Sequence, residues 1–205
     1  MPLNVKIDSE KLALADPDIA SLIDKIGIPP QRRREKGFST LIHILISQQI
    51  SLQAADSIWS KLKATSIISP EGIININYEG LRKIGFSHSK ANWSIQLSNK
   101  ILTGEFNPDL LDRVDDTNAI KYLMTLAGFG EWSSSIYLMF CLERSDIWPA
   151  GDIALQETIR QIKKLTARPN TKEMKEISTI WQPYRSSASH LLWHYYAKIV
   201  KHKML

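Results

Sequence analysis

Asp152 follows the loop Pro149-Ala150-Gly151 and directly precedes "IALQETIRQIKKL", a run with apolar residues at helical spacing. An aspartate there is predicted to cap the helix, its carboxylate held rigidly by amide donors at the positive end of the helix dipole. Such a group can also do chemistry, because a fixed negative charge stabilises developing positive charge. Upstream, "LMTLAGFGEWSSSIYLMF" breaks two apolar helical patterns with Gly128-Phe129-Gly130. Two glycines allow positive φ and a tight turn into a new helix. The first amides of that helix, from Glu131 to Ser134, have no internal partners and form an anion site suited to a phosphate. Ser133 to Ser135 are expected to keep its entrance open and add hydroxyl donors. The simpler reading of each feature is structural: a helix cap and a glycine-jointed helical hairpin.

Helices are what must position these groups. The spacing predicts helices over "DPDIASLIDKIG", with Asp16 near its cap and Gly27 at its end, and over "FSTLIHILISQQI" and "SLQAADSIWSKLKA", the last capped by Ser51. More follow in "YEGLRKIG", "SKANWSIQLSNKILTG" and "DTNAIKYLMTL", and in "TKEMKEISTIWQ" and "PYRSSASHLLWHYYAKIVKH". "TSIISPEGIININ" is β-rich in composition and broken by Pro70 and Gly72, which predicts a loop. About ten helices with short connections and no convincing alternating strand give an all-α fold.

Composition narrows the classes. The chain has 205 residues, 43% of them hydrophobic, enough for one large domain or two lobes with a core. Its net charge of +5 is compatible with a polyanionic partner and weak as an argument alone. The single cysteine, Cys141, excludes an internal disulfide and an iron–sulfur cluster and points to a reducing compartment. No apolar run reaches the ~20 residues needed to cross a bilayer, and the N-terminal segment has no signal-peptide pattern.

With these residues in place, the chain resembles the helix–hairpin–helix DNA glycosylases, and within them the alkylation-repair branch typified by 3-methyladenine DNA glycosylase II. Four blocks carry the likeness in the family's order, "FSTLIHILISQQIS", "LMTLAGFGEWSSS", "PAGDIALQ" and "WQPYRSSASHLLWHYY", and the likeness runs from Phe38 to Tyr196. The resemblance implies an all-α, two-lobed helical bundle with a cleft between lobes. The middle lobe would span 36–144 and carry the hairpin; 1–35 plus 145–205 would form the second lobe and carry the aspartate. The β-rich N-terminal domain of the longest members is not expected.

The resemblance also implies roles. Such enzymes flip a damaged base from the duplex and hydrolyse its N-glycosidic bond. Asp152 matches the catalytic carboxylate, acting electrostatically or on the attacking water. Trp132 and Trp193 match aromatic positions of the base pocket, where an indole face attracts a cationic base. His43 either lines that pocket or is a satisfied core histidine. Gln49 aligns with the wedge that fills the gap left by the flipped base. Gly128, Gly130, Glu131, Trp132, Ser133 and Ser134 would grip a phosphate through the backbone. Lys83, Lys90, Arg185 and the "RRREK" run are further phosphate candidates.

The other lineage carries a nucleophilic lysine two residues after the second hairpin glycine; here that position is Trp132, which predicts a glycosylase without lyase activity. Ile136, Ile153 and His194 stand where the best-known members carry tyrosines. No cofactor or metal ligand set is expected, apart from a monovalent cation on the carbonyls of Met124, Leu126 and Phe129. The expected partner is damaged double-stranded DNA, bound by a monomer in the bacterial cytoplasm and nucleoid or the eukaryotic nucleus, away from membranes. Three readings remain: a glycosylase for alkylated purines such as 3-methyladenine, a glycosylase for hypoxanthine, ethenoadenine or an oxidised purine, and a non-catalytic DNA-binding module.

Overall fold

The fold, a computed structural model, is described for residues 2–200. Among these residues it is all helical; the one pairing outside helices is an isolated antiparallel bridge between Pro2 and Arg144. The chain divides into two units, one comprising Arg34–Tyr137 and the other Met1–Arg33 with Leu138–Leu205.

In the second of these, α1 (Val5–Ala15) and α2 (Pro17–Ile26) share a hinge at Asp16, which ends one helix and caps the next. Asp16 Oδ1 accepts the Asp18 amide at 2.9 Å, Pro17 supplies the preset φ of a first helical position, and Gly27 closes α2 at φ 72°. Asp16 is buried, and its second oxygen accepts the Trp181 indole N–H at 2.9 Å while Lys163 lies 3.3 Å away. A buried carboxylate needs such partners. α1 was not foreseen from the sequence: its charges and apolar residues are intermixed, and an Asn4 side-chain cap on the Ile7 amide starts it.

The same unit holds α9 (Ile153–Ile162), α10 (Thr171–Ile177), a 3-10 turn at Ser178–Trp181 and α11 (Arg185–Tyr195). α11 packs against α1, α2 and α9. Leu12, Leu22, Leu155, Trp181, Leu191 and Leu192 are central members of that core. A π-helical turn, Tyr196–Val200, follows α11.

The other unit contains α3 (Phe38–Ser47), α4 (Leu52–Thr65), α5 (Pro70–Ile84), α6 (His88–Leu102) and α7 (Asp116–Leu123). α3 is the buried helix, with Leu41, Ile42, Leu45 and Ile46 inaccessible to solvent, and it packs on α4 and α6. Of the loop expected over "TSIISPEGIININ", residues 66–69 do connect α4 to α5, but Pro70 to Asn77 are instead the first half of α5. Ser69 caps the Gly72 amide at 3.1 Å and Pro70 takes the first helical position, a strong start signal that outweighs the β-branched composition. Burial of Ile73 rewards the helical register; Pro70 and Gly72 do not break it, and the kink falls at Asn77, at φ 58°, the last residue of the expected loop. α8 (Glu131–Cys141) starts immediately after the glycine turn; its residues up to Tyr137 belong to this unit and those from Leu138 to the other.

Candidate DNA-recognition and catalytic site

α7 and α8 are joined by the turn of residues 124–130, the predicted helix–hairpin–helix. The two glycines play different parts. Gly128 adopts φ 85°, the left-handed region, and its Cα sits against the Trp93 ring, so the turn requires glycine there. Gly130 lies outside that region and has open space where a side chain would project. The expectation of positive φ therefore holds at Gly128 alone. Gly130 O accepts the Ser134 amide at 3.0 Å, the first full turn of α8.

This geometry sorts the expected phosphate donors. Glu131, Trp132 and Ser133 occupy the first three positions of α8, where amides point along the helix axis. Ser134 does not belong with them: its amide is engaged with Gly130 and its side chain is fully buried. The hydroxyls of Ser134 and Ser135 likewise face the interior, so they do not line an entrance. Ser133 is also buried, and its Oγ accepts from the Gln48 side-chain amide at 2.9 Å.

Ser47, Gln48, Gln49, Gly128, Trp132 and Ser133 line one cavity of about 360 Å³. The structure thus brings the predicted wedge, Gln49, together with the hairpin glycine and the predicted pocket tryptophan. Gln49 is exposed and sits at φ 55° in the short turn between α3 and α4, with Ser51 capping α4 through the Ala54 amide at 3.2 Å. Trp132 is 41% exposed, as a binding surface requires and a core tryptophan is not. Gln48 was not singled out from the sequence, yet its side chain donates to both Gly128 O, at 2.8 Å, and Ser133 Oγ. The "QQ" doublet was the available signal.

His43 lies in a different cavity, of about 390 Å³, with Arg34, Glu35, Ser39, Thr40 and Trp59. Its ring meets Trp59 edge-on at 4.9 Å and its Nδ1 is 3.2 Å from the Arg34 guanidinium. Burial, and then the Arg34 charge, push its pKa below the ordinary imidazole value. His43 is therefore not brought beside Trp132.

Asp152 caps α9 as predicted: Oδ1 accepts the Leu155 amide at 2.9 Å, and the residue is 9% exposed. The preceding loop is tightened by the Asp152 amide donating to Pro149 O at 2.9 Å. Trp193, on α11 in the same unit, is partly buried and packs on Phe140 with ring centroids 5.8 Å apart. Of the three positions that carry tyrosines in the best-known members of the resembled branch, Ile136 is buried, His194 is partly buried, and Ile153 is 63% exposed beside Asp152.

Two expected phosphate contacts are otherwise engaged. Arg185 forms a two-pronged pair with Asp146, at 2.7 and 2.8 Å. Lys90 is buried, with its ammonium on the carbonyls of Ile46 and Gln48. Lys83 is exposed. In the basic run, Arg33 pairs with Glu143 at 2.6 Å and Lys36 with Asp112 at 2.5 Å. Among the described residues no three histidine, cysteine or acidic side chains are grouped to hold a metal, and no helix is long and apolar enough to cross a membrane.

An all-helical fold with a glycine hairpin feeding one helix and an aspartate heading a later one defines the helix–hairpin–helix class of DNA repair proteins. The chain belongs to the HhH-GPD superfamily of base excision DNA repair proteins, whose profile matches residues 42–183. Its relatives fall in the branch that the four sequence blocks indicated. It is 30% identical over 171 residues to a putative DNA-3-methyladenine glycosylase of Bacillus subtilis, covering 76% of this chain and 58% of that protein. It is 28% identical to DNA-3-methyladenine glycosylase 1 of Schizosaccharomyces pombe, covering 80% of this chain and 75% of that protein. The solved structure of an S. pombe 3-methyladenine DNA glycosylase in complex with abasic DNA superposes with a TM-score of 0.82 at 27% identity, over 91% of this chain and 94% of that one.

Proposed function

We propose that the protein is a monofunctional DNA glycosylase that flips alkylated purines, 3-methyladenine foremost, out of duplex DNA and hydrolyses their N-glycosidic bond. The observation that carries this reading is Asp152, a largely buried carboxylate fixed by the Leu155 amide at the head of α9 in a chain of the base-excision family. Alkylation places positive charge on the purine and makes it a good leaving group. As the glycosidic bond lengthens, positive charge grows on the sugar, and the Asp152 carboxylate stabilises it and orients the incoming water.

Trp132 offers its indole face to the cationic base, and Gln49 fills the gap in the stack. Gly130 and the first amides of α8 hold a backbone phosphate, which positions the DNA without reading its sequence. A monovalent cation on the carbonyls of Met124, Leu126 and Phe129 belongs to the same reading; Leu126 O already accepts the Phe129 amide at 3.0 Å and would offer the ion its second lone pair. Trp132 occupies the place where lyase members carry a nucleophilic lysine, and an indole forms no Schiff base, so strand cleavage is not part of the reaction.

A panel of duplexes, each with one lesion and assayed with and without subsequent alkali, tests this. Release of 3-methyladenine with strand breaks only after alkali is the expected result. Preference for a neutral oxidised purine, or breaks without alkali, would overturn it.

A further inference from the structure

Gln49 is presented by a turn that is held from two sides. α3 ends at Ser47, and its last carbonyls have no partners inside the helix. Gln48 is extended and Gln49 is left-handed, at φ 55°, a conformation uncommon for a residue with a side chain. Such a residue stays in place only when its surroundings fix it. Here they do. Lys90, on the first turn of α6, is 8% exposed and sends its ammonium 2.7 Å from Ile46 O and 2.6 Å from Gln48 O. On the other side, Gln48 Nε2 donates to Gly128 O and Ser133 Oγ, the carbonyl of the hairpin glycine and the hydroxyl of α8's first turn.

We propose that Lys90 is a positioning residue that fixes the Gln49 wedge, and that Gln48 couples the wedge to the phosphate-gripping hairpin. The inference rests on the base-flipping reading above. A lysine near a helix C-terminus commonly just neutralises carbonyls and the helix dipole. Two features go beyond that. Its two carbonyl acceptors bracket the start of the wedge turn, and the residue carrying the second carbonyl is the one whose side chain reaches the hairpin. Burial pulls the Lys90 pKa below the ordinary lysine value, so the ammonium is kept there against a desolvation cost. Through this chain of contacts, a phosphate seated on the hairpin and a side chain entering the stack are set at one spacing.

The wedge matters where a base must leave a duplex and matters little where the lesion is already unstacked. The readout is therefore the ratio of single-turnover excision rates for one lesion in duplex and in single-stranded DNA. Gln49→Ala is expected to lower that ratio about tenfold, within the few kcal/mol that flipping costs. Lys90→Met and Gln48→Ala should lower it similarly, Lys90→Arg less, and Lys90→Met combined with Gln49→Ala should fall no further than either alone. Equal loss on both substrates would mean that Lys90 only stabilises the fold, and independent multiplying losses would mean that it does not act through Gln49; either overturns the proposal. If Lys90→Met does not fold, Gln48→Ala and Lys90→Arg decide on the same criterion. A wild-type protein that releases no base from any lesion fails the proposed function itself, an outcome distinct from an active enzyme with parallel losses.

Discussion

The indole of Trp93 fills the space where a side chain on Gly128 would begin: a Cβ there would stand 2.4 Å from Trp93 Cε3 and 2.9 Å from Leu45 Cδ2. With Gly128 also left-handed, Gly128→Ala should cost about 2 to 5 kcal/mol, from backbone strain and overpacking together. Gly130 has neither constraint, so Gly130→Ala should leave urea unfolding within about 0.5 kcal/mol of wild type. If its amide approaches a phosphate closely, that variant should still lose roughly 1.5 to 3 kcal/mol of affinity for undamaged duplex. Chemical denaturation and DNA titration on the same two proteins separate a glycine needed for packing from one needed for ligand approach. Equal stability of both variants would contradict the Trp93 contact.

Asp152 has a structural duty and a proposed chemical one, and two substitutions pull them apart. Asparagine caps a helix about as well as aspartate, so Asp152→Asn should keep the bond to the Leu155 amide and the melting temperature. It removes the charge, so base release should fall by about 100-fold or more while duplex binding persists. Asp152→Ala should lose both, with about 1 kcal/mol of stability from the missing cap. An active Asp152→Asn enzyme would leave the residue a cap and nothing more.

The legible parts of this molecule are those written in local chemistry. Asp16, Ser51 and Asp152 announced their helices because a short polar side chain before an apolar run has few other uses. The first half of α5 is not legible because its β-branched residues carry a propensity that burial of Ile73 overrides, whereas "YEGLRKIG" reads as the helix it is. The partners of Lys90 and Arg185 are hidden for a different reason. A cation's partner is set by tertiary structure, and nothing in the sequence near Lys90 says that its ammonium meets carbonyls of α3, more than forty positions away. The Gln48 bridge to Gly128 was hidden in the same way, since it joins residues separated by eighty positions.

His190 should make the fold acid-sensitive. Its ring is 3% exposed on α11, meets Phe140 edge-on, and has Nδ1 2.9 Å from Ser186 O. Burial depresses its pKa from 6.5, opposed by the Ser186 contact and reinforced by the Arg32 charge. The unfolded chain therefore takes up a proton on falling below pH 6.5 that the native state refuses, and stability declines from there until the folded-state pKa is passed. Above that range the residue contributes no pH dependence. Thermal melts between about pH 7.5 and about pH 5 should show a smaller decline in His190→Phe than in wild type. An identical slope would remove His190 as the cause, leaving His43 and His194, which are depressed in the same direction.

Trp132 provides the sharpest test of substrate charge. Its half-exposed indole lines the cavity that also holds Gln49 and Gly128. An indole over a desolvated cation is worth about 2 kcal/mol more than apolar contact alone, close to thirtyfold in rate. Trp132→Leu keeps bulk and hydrophobicity but removes the negative ring face. It should lower kcat/KM for a cationic methylated purine by about thirtyfold and for a neutral lesion such as hypoxanthine by much less. The informative quantity is the ratio of the two, because a general loss of pocket shape lowers both numbers. A ratio unchanged by the substitution would place the recognition of positive charge elsewhere, with Trp193, partly buried against Phe140, the next residue to replace.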